Sequence, residues 1–290
     1  MVIATIDIGG TSIKFASMTA KGQLLKRHVL PTPNSWGEFE AWLDECMAEE
    51  SYEGLAISAP GAVNQETGVI AGTSAVPFIH GFSWYEVLSK YKIPISLEND
   101  ANCVGLSELL ARPDLKNVAC VVIGTGIGGA LIFNGRLHRG KHDLGGEYGY
   151  MVLRKPKEDL GNWSRMASTG ALVRYVKEQK KEKDWNGQKI YQAAAKGDII
   201  CQRAIEHMNY YLALGILNIQ YCFDPDLICL GGSISQNPLF LGGVQKQMVE
   251  LVAKYEEYVL VPEVVTCTYK ADANLYGALV HWLQRQEEEK

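Results

Sequence analysis

Three acidic residues of this 290-residue chain stand where chemistry could use them: Asp7, Asp100 and Glu147. Asp7 closes a β-branched run from Val2 to Ile8, and Gly9, Gly10 and Thr11 follow before the chain resumes as a strand from Ser12 to Met18. Strand, Asp, Gly-Gly turn, strand is a hairpin that lets backbone N–H groups approach a phosphate while a carboxylate faces a hydrated cation. The same stretch alone could be an ordinary glycine-containing hairpin. Asp100 lies in Glu98-Asn99-Asp100-Ala101-Asn102, after a strand at 93–97 and at the start of a helix. That is the C-terminal end of a strand, where open α/β sheets bind ligands. A helix cap needs only one of Asn99 and Asp100, so the surplus of acids and amides makes Asp100 a candidate general base and Asn99 a hydroxyl clamp. Glu147 sits among Gly145, Gly146 and Gly149. A buried, unpaired Glu is costly, so it is either solvated or bound to something polar such as sugar hydroxyls.

A second glycine turn echoes the first. Val118 to Ile123 reads as a strand, Gly124-Thr125-Gly126-Ile127-Gly128-Gly129 as a turn, and Ala130 to Asn134 as the returning strand. Gly124, Gly126 and Gly129 also fit a dinucleotide fingerprint, with Glu147 near the spacing of a ribose-binding acid. That fingerprint demands a helix directly after the glycines. A β-type run follows here, so the turn reads as a phosphate hairpin. Gly135 to Lys141 approximates a P-loop, but His142 stands where a Ser or Thr must meet Mg²⁺. His138 and His142 have a metal-like spacing only in a helix, and Gly135 and Gly140 make this a loop.

These residues need elements to hold them. A third strand at 24–30, a helix at 36–50 capped by Ser35, a short strand at 55–58 and the rigid turn Ala59-Pro60-Gly61 complete the first half. A hairpin-like segment then runs to Ile70, helices are expected at 84–91 and 101–110, and Arg112-Pro113-Asp114 reads as a linker. The second half adds helices at 170–180, 189–195 and 199–221, and a strand at 227–230 ending in Gly231-Gly232-Ser233. A helix at 238–257, a strand at 264–268 and a terminal helix at 273–288 follow. Two related lobes are expected, their phosphate-facing hairpins opposed across a cleft.

The composition sets outer limits. Apolar residues at 47% and charged residues at 21% suit an ordinary globular protein. A net charge of -5 leaves no polyanion footprint, so nucleic acid is not an expected partner. The seven cysteines form no C-x-x-C pair and read as reduced, buried thiols. The stretch from Val118 to Phe133 contains four glycines and is too short to span a bilayer as a helix. No signal peptide is evident. The expectation is a cytoplasmic protein without membrane attachment.

Taken together, the segments resemble the ROK family of sugar kinases and repressors, within the actin-like ATPase superfamily, over almost the whole chain. Asp7 to Thr11 is similar to the first phosphate motif, Ile123 to Gly129 to the second, and Leu230-Gly231-Gly232-Ser233 to the adenosine motif. Ala59-Pro60-Gly61 and Glu98 to Asn102 are similar to the sugar-side segments. The resemblance implies an α/β, two-lobed actin-like ATPase (ribonuclease H-like) fold with a central cleft. Residues 1–112 would form the small lobe, with 272–290 packing back on it, and 113–271 the large lobe. It implies ATP with Mg²⁺, the ion held by Asp7 through water. Gly9, Gly10, Thr11, Lys14, Gly124, Thr125, Gly126, Gly128, Gly231 and Gly232 would stand on the nucleotide side. Asn99, Glu147, Gly61, Ser164 and Tyr150 would face the sugar, with Asp100 as the base and lobe closure excluding water. A homodimer is the default assembly.

The departures from the family pattern carry information. Zinc-binding members have a His where Tyr150 stands, then a cysteine cluster and a Glu. The matching segment here, Leu160 to Gly170, has no cysteine, and Ser164 falls near the position of the Glu. No zinc site is expected, and space is expected beside the anomeric oxygen of a sugar. This pattern is similar to the β-glucoside kinase subgroup, which phosphorylates the 6-hydroxyl of a glucosyl unit such as that of cellobiose. A glucokinase or amino-sugar kinase is the alternative within the family. A sugar-responsive repressor is disfavoured, because only six residues precede Asp7.

Overall fold

The structure is a computed structural model that describes residues 1–155, 161–257 and 259–288. Its strands are β1 (Val2–Ile8), β2 (Ser12–Thr19), β3 (Leu24–Pro31), β4 (Gly54–Ala59), β5 (Ala62–Val63), β6 (Ile70–Ala71), β7 (Ile95–Asn99), β8 (Val118–Ile123), β9 (Ile127–Phe133), β10 (Arg136–Leu137), β11 (Leu227–Gly231) and β12 (Val264–Thr266). Its helices are α1 (Trp36–Met47), α2 (Trp84–Leu88), α3 (Asp100–Ala111), α4 (Trp163–Ala167), α5 (Thr169–Lys180), α6 (Gly187–Ala195), α7 (Ile199–Phe223), α8 (Pro238–Lys254) and α9 (Ala273–Glu288). The chain divides into two compact units, Met1–Asp114 with Ala271–Lys290, and Leu115–Lys270.

Both units are built on one plan. In the first, five strands among the described residues run in the order β3-β2-β1-β4-β7. β2 lies antiparallel to β1, while β4 and β7 continue the sheet in parallel. In the second the order is β10-β9-β8-β11-β12, and in both an antiparallel three-stranded meander feeds a parallel run. Parallel strands need crossovers and become covered on both faces. β1 shows this, since every residue from Ile3 to Ile8 is buried.

Alternation along β1 sorts its side chains. Ala4, Ile6 and Ile8 join a core with Phe39 and Leu43 of α1. Ile3 faces the opposite way, into a core with Cys103 of α3 and Leu275, Leu279 and Trp282 of α9. With a period of two, Asp7 must share the face of Ile3, the side that carries α3 and α9. Two glycines permit that packing. A Cβ on Gly277 would fall 1.7 Å from the Cys103 carbonyl oxygen, and one on Gly54 2.3 Å from the Trp282 ring. In the second unit, Ala119, Val121 and Ile123 of β8 meet residues of α4 to α8 in a single core. There Trp163 packs against α7 at Gly215, where a Cβ would come within 2.1 Å of its ring.

The structure moves several expected boundaries. α8 ends at Lys254 rather than Glu257, and Tyr255 is its extended C-cap. α2 stops at Leu88, and a 3₁₀ turn (Ser89–Tyr91) carries the chain to Lys92 at φ 55°. β9 begins at Ile127, three residues before the expected Ala130, so Gly128 and Gly129 belong to the strand and not the turn. α1 ends at Met47, short of Glu50. Six of the seven cysteines are buried, and Cys222 is exposed. Leu160, the first residue of the segment compared with the zinc motif, lies outside the described residues.

Candidate functional site

In the first unit, β1 delivers Asp7 to the edge of the glycine turn, where it is only 6% exposed. The antiparallel register sets Lys14 opposite, and its Nζ lies 2.8 Å from Asp7 Oδ2. Lys14 also donates to the Ala271 carbonyl oxygen. Asn274, on α9, donates through Nδ2 to Asp7 Oδ1 at 2.8 Å. A carboxylate only accepts, so this fixes the amide orientation and leaves Asn274 Oδ1 as an acceptor to spare. That oxygen is buried and has no hydrogen-bond partner among the described residues.

The turn itself is tied inward. The Gly9 N–H donates to the Ser12 carbonyl at 3.1 Å, the Thr32 hydroxyl to Gly9 O at 2.6 Å, and the Thr32 N–H to Thr11 O at 3.1 Å. A Cβ on Gly9 would fall 2.8 Å from Ser12 O, and one on Gly10 2.9 Å from Ala75 Cβ. Gly9 and Gly10 are therefore glycines for want of space.

Asp100 is the first residue of α3. Its Oδ1 accepts from the Ala101 N–H at 2.8 Å. Burial pushes its carboxyl up to about 6, and the Asp7 charge adds to the rise against the hydrogen bonds from Ala101 and Asn99. A carboxyl poised there holds or releases a proton near neutrality, as a general base requires. Asn99 is the N-cap: its Oδ1 accepts from Ala101 N at 2.9 Å and Asn102 N at 3.2 Å, and its Nδ2 donates to Gly61 O at 3.0 Å. The cap that the sequence suggested as the plainer reading is thus present, and the Asn99 amide is divided between the Gly61 carbonyl and the Asp100 carboxyl. Gly61 has φ +108°, and a Cβ there would meet Ile70 Cγ2 at 2.7 Å. Gly61, Asn99 and Asp100 are brought together. Glu98 points inward, fully buried, with Oε1 accepting from Asn99 N at 2.7 Å and Asn102 Nδ2 at 2.9 Å, and His281 Nε2 3.5 Å from Oε2. It braces the strand end.

In the second unit, Gly124, Thr125 and Gly126 link β8 to β9, with Gly124 N donating to Gly126 O at 2.9 Å. Ser164 of α4 clasps this turn. Its Oγ accepts from Ile127 N at 2.8 Å and donates to Ile127 O at 3.3 Å. The Gly170 N–H of α5 donates to Gly124 O at 3.3 Å. A Cβ on Gly124 would meet nothing within 4 Å, so the outer side of the turn is open. Gly128 lies in β9 opposite Val122, and Gly231 ends β11 opposite the same residue. Gly232 has φ +91°, and a Cβ there would fall 2.1 Å from Ile123 O. Glu147 is exposed, its carboxyl raised by partial burial, and Tyr150 is 70% exposed on a one-turn 3₁₀ helix (Tyr148–Tyr150). Ser164 was expected toward the sugar. Its hydroxyl is instead engaged by the second glycine turn.

Beside Gly232 lies a cavity of about 550 Å³, lined by Thr169, Asn186, Gln188, Tyr191 and Gln236 among others. Thr169 Oγ1 and Tyr191 OH are buried without hydrogen-bond partners among the described residues. Such orphans invite a polar ligand. Sequence reading found Gly231 and Gly232 but none of these liners, nor Asn274. The liners come from separate segments that carry no motif.

The sequence profile of the ROK family matches residues 3–285. The chain is 32% identical to the β-glucoside kinase of Listeria monocytogenes serovar 1/2a, over 99% of each. It is 33% identical to the β-glucoside kinase of Klebsiella pneumoniae, over 98% of this chain and 97% of that one. The crystal structure of a protein of the same family from Streptococcus pneumoniae TIGR4, in complex with sucrose, superposes with a TM-score of 0.96. It is 63% identical and covers 99% of this chain and 100% of that one.

Proposed function

The chain belongs to the ROK family, and from that membership we propose that it is an ATP-dependent β-glucoside kinase. The acceptor would be the 6-hydroxyl of the non-reducing glucosyl unit of cellobiose or another β-glucoside. The observation that carries this reading is the whole-length identity to β-glucoside kinases of two genera. The fold is that of actin-like ATPases, in keeping with a nucleotide as phosphoryl donor.

Each unit contributes by its own geometry. Asp100 takes the proton of the attacking hydroxyl, a step typically worth ~10²–10⁴-fold. Its carboxyl, held up to about 6, is mostly ionised near pH 7 and returns the proton readily. Asn99 and Gly61, joined by a hydrogen bond, offer a shaped polar edge to the sugar, and Glu147 accepts from secondary hydroxyls. The backbone N–H groups of Gly10 and Thr11 in the first turn and of Thr125 and Gly126 in the second would orient phosphate oxygens, and Lys14 supplies a fixed cation. The cavity beside Gly232 suits a nucleoside, with Thr169 and Tyr191 as hydroxyl partners. Phosphoryl transfer depends mainly on such positioning and charge neutralisation.

Asp7 and the orphan Asn274 Oδ1 form a donor set that fits a hydrated Mg²⁺, which keeps several waters and needs few protein oxygens. When bound, the ion would neutralise charge on the transferring phosphate. The same reading carries a homodimer as the assembly.

A coupled assay of ADP release across glucose, N-acetylmannosamine, fructose, cellobiose, gentiobiose, sucrose and aryl β-glucosides tests the acceptor. Cellobiose or gentiobiose is expected to exceed glucose in kcat/KM. Efficient glucose phosphorylation without turnover of any glucoside would overturn the proposal. The sucrose-bound relative favours an acceptor substituted at the anomeric carbon. It leaves an α-linked acceptor as the second reading, and the sucrose arm decides it.

A further inference from the structure

A groove of about 290 Å³ opens among α4, α5 and α7 of the second unit. Its lining includes none of the residues assigned above to ATP or acceptor. Among the described residues three arginines line it, Arg154, Arg165 and Arg174, together with Tyr175, His207 and one acid, Glu178. Arg154 has a partner of its own, so the excess of guanidinium that needs a reason in this protein of net charge -5 is that of Arg165 and Arg174. Neither Arg165 nor Arg174 has a carboxylate within 4 Å among the described residues. Arg174 Nη2 instead donates to the Arg165 carbonyl oxygen at 3.2 Å, which fixes the two arginines' helices to each other.

The other wall is aromatic. The His207 and Tyr175 rings stack with centroids 6.0 Å apart and planes 17° from parallel, and Tyr211 closes on His207 at 4.8 Å. Burial, and secondly Arg154, hold the His207 imidazole below its ordinary pKa, so near pH 7 it offers a neutral ring. Guanidinium beside a stacked aromatic platform is a two-part receptor. The first part matches a phosphomonoester, with bidentate donors for its oxygens. The second matches the C–H face of a sugar ring. The volume exceeds what a bare phosphate would fill.

We propose that this groove binds a sugar phosphomonoester, and that its physiological ligand is the kinase's own phosphorylated product. The identification of the ligand as product rests on the kinase reading. The chemistry of the groove does not. Its walls are continuous with the second glycine turn. Arg165 directly follows Ser164, whose hydroxyl clasps Ile127, and Arg174 is on α5, whose Gly170 N–H donates to Gly124 O. A ligand that draws the arginines inward therefore pulls on both helices that hold the turn. Product inhibition would then persist at saturating ATP and acceptor, because neither competes for the groove.

The test is isothermal calorimetry on the full chain, with cellobiose and a non-hydrolysable ATP analogue present in excess to fill the kinase site. Glucose 6-phosphate, inorganic phosphate and glucose are titrated in turn. Glucose 6-phosphate should bind at least about tenfold more tightly than phosphate, and glucose not measurably. Arg165→Gln/Arg174→Gln should weaken glucose 6-phosphate binding by at least about tenfold. KM for ATP and acceptor should stay within about twofold, since these arginines touch neither. Equal binding by the double variant, or equal affinity for phosphate and glucose 6-phosphate, would overturn the proposal. Calorimetry needs no turnover. An inactive protein that still binds glucose 6-phosphate through the arginines would sink the kinase reading and leave the site standing, whereas an active one that does not bind would do the reverse.

Discussion

The two glycine turns share a backbone plan and differ in what surrounds it. Each leaves the first strand of its sheet and returns antiparallel, the first closed by the Ile8–Ile13 pair and the second by Ile123–Ile127. The first is loaded with charge: a buried carboxylate, an ammonium 2.8 Å away and an amide from the far end of the chain. The second is held by a serine hydroxyl and backbone donors. Their glycines differ in kind as well. Gly9 and Gly10 are crowded, whereas Gly124 is open. One sheet architecture thus serves twice for shaping a turn, and charge chemistry is concentrated in only one copy.

That contrast can be broken by experiment. Asp100→Asn is expected to lower kcat by ~10²–10⁴-fold while leaving ATP affinity in place. Near wild-type turnover would remove the base from the first unit and erase the asymmetry. Gly9→Ala should destabilise the fold by about 1–3 kcal/mol, because its Cβ would meet the Ser12 carbonyl oxygen. Gly124→Ala should keep stability within ~0.5 kcal/mol yet raise KM for ATP. Urea unfolding and steady-state kinetics on the pair read both effects, and an unchanged KM would mean that the second turn meets no phosphate. Ser164→Ala removes two hydrogen bonds to Ile127 and should cost about 1 kcal/mol, seen as a lower Tm.

The subtlest expectation concerns protons. The folded pKa of Asp100 is raised to about 6 from 3.8, so its contribution to stability is full below 3.8 and is lost as pH rises through about 6. Activity runs the other way, because the base must be ionised. The acid limb of kcat/KM should fall near pH 6. In Asp7→Asn the Asp100 carboxyl, followed by ¹³C NMR, should titrate lower, since one charge opposing its ionisation is gone. An unmoved titration would show that the two carboxylates do not communicate.

Much of the scaffold was legible because period and punctuation agreed. β1, β8 and α9 lie at their expected residues, each an apolar pattern bounded by unambiguous neighbours. The errors have physical causes. α8 was read three residues too long because Tyr255, Glu256 and Glu257 contain no glycine or proline to stop it. Gly128 and Gly129 were read as turn although they are strand, where the Tyr148 ring and the Gly146 backbone approach so closely that a Cβ on Gly129 would meet them at 2.4 and 2.8 Å. α4 was missed altogether: five residues are too few for a period, and it is anchored by Trp163 against α7. At the site, the glycines and Asp100 were visible as local clusters. Asn274 was not, because its partner is 267 residues away and no local pattern encodes such a pairing.

The course of α9 bears on how the molecule is made. Residues 271–290 belong to the unit that opens the chain, yet they leave the ribosome only after the whole of 115–270. Domains fold as units during synthesis, so the continuous second unit can close while the first still lacks a helix. Until α9 arrives, Cys103 and Ile3 lack the cover of Leu275, Leu279 and Trp282, and Asp7 lacks the Asn274 amide. The unit begun first is finished only after the second, and its acidic centre is assembled only once α9 has been made.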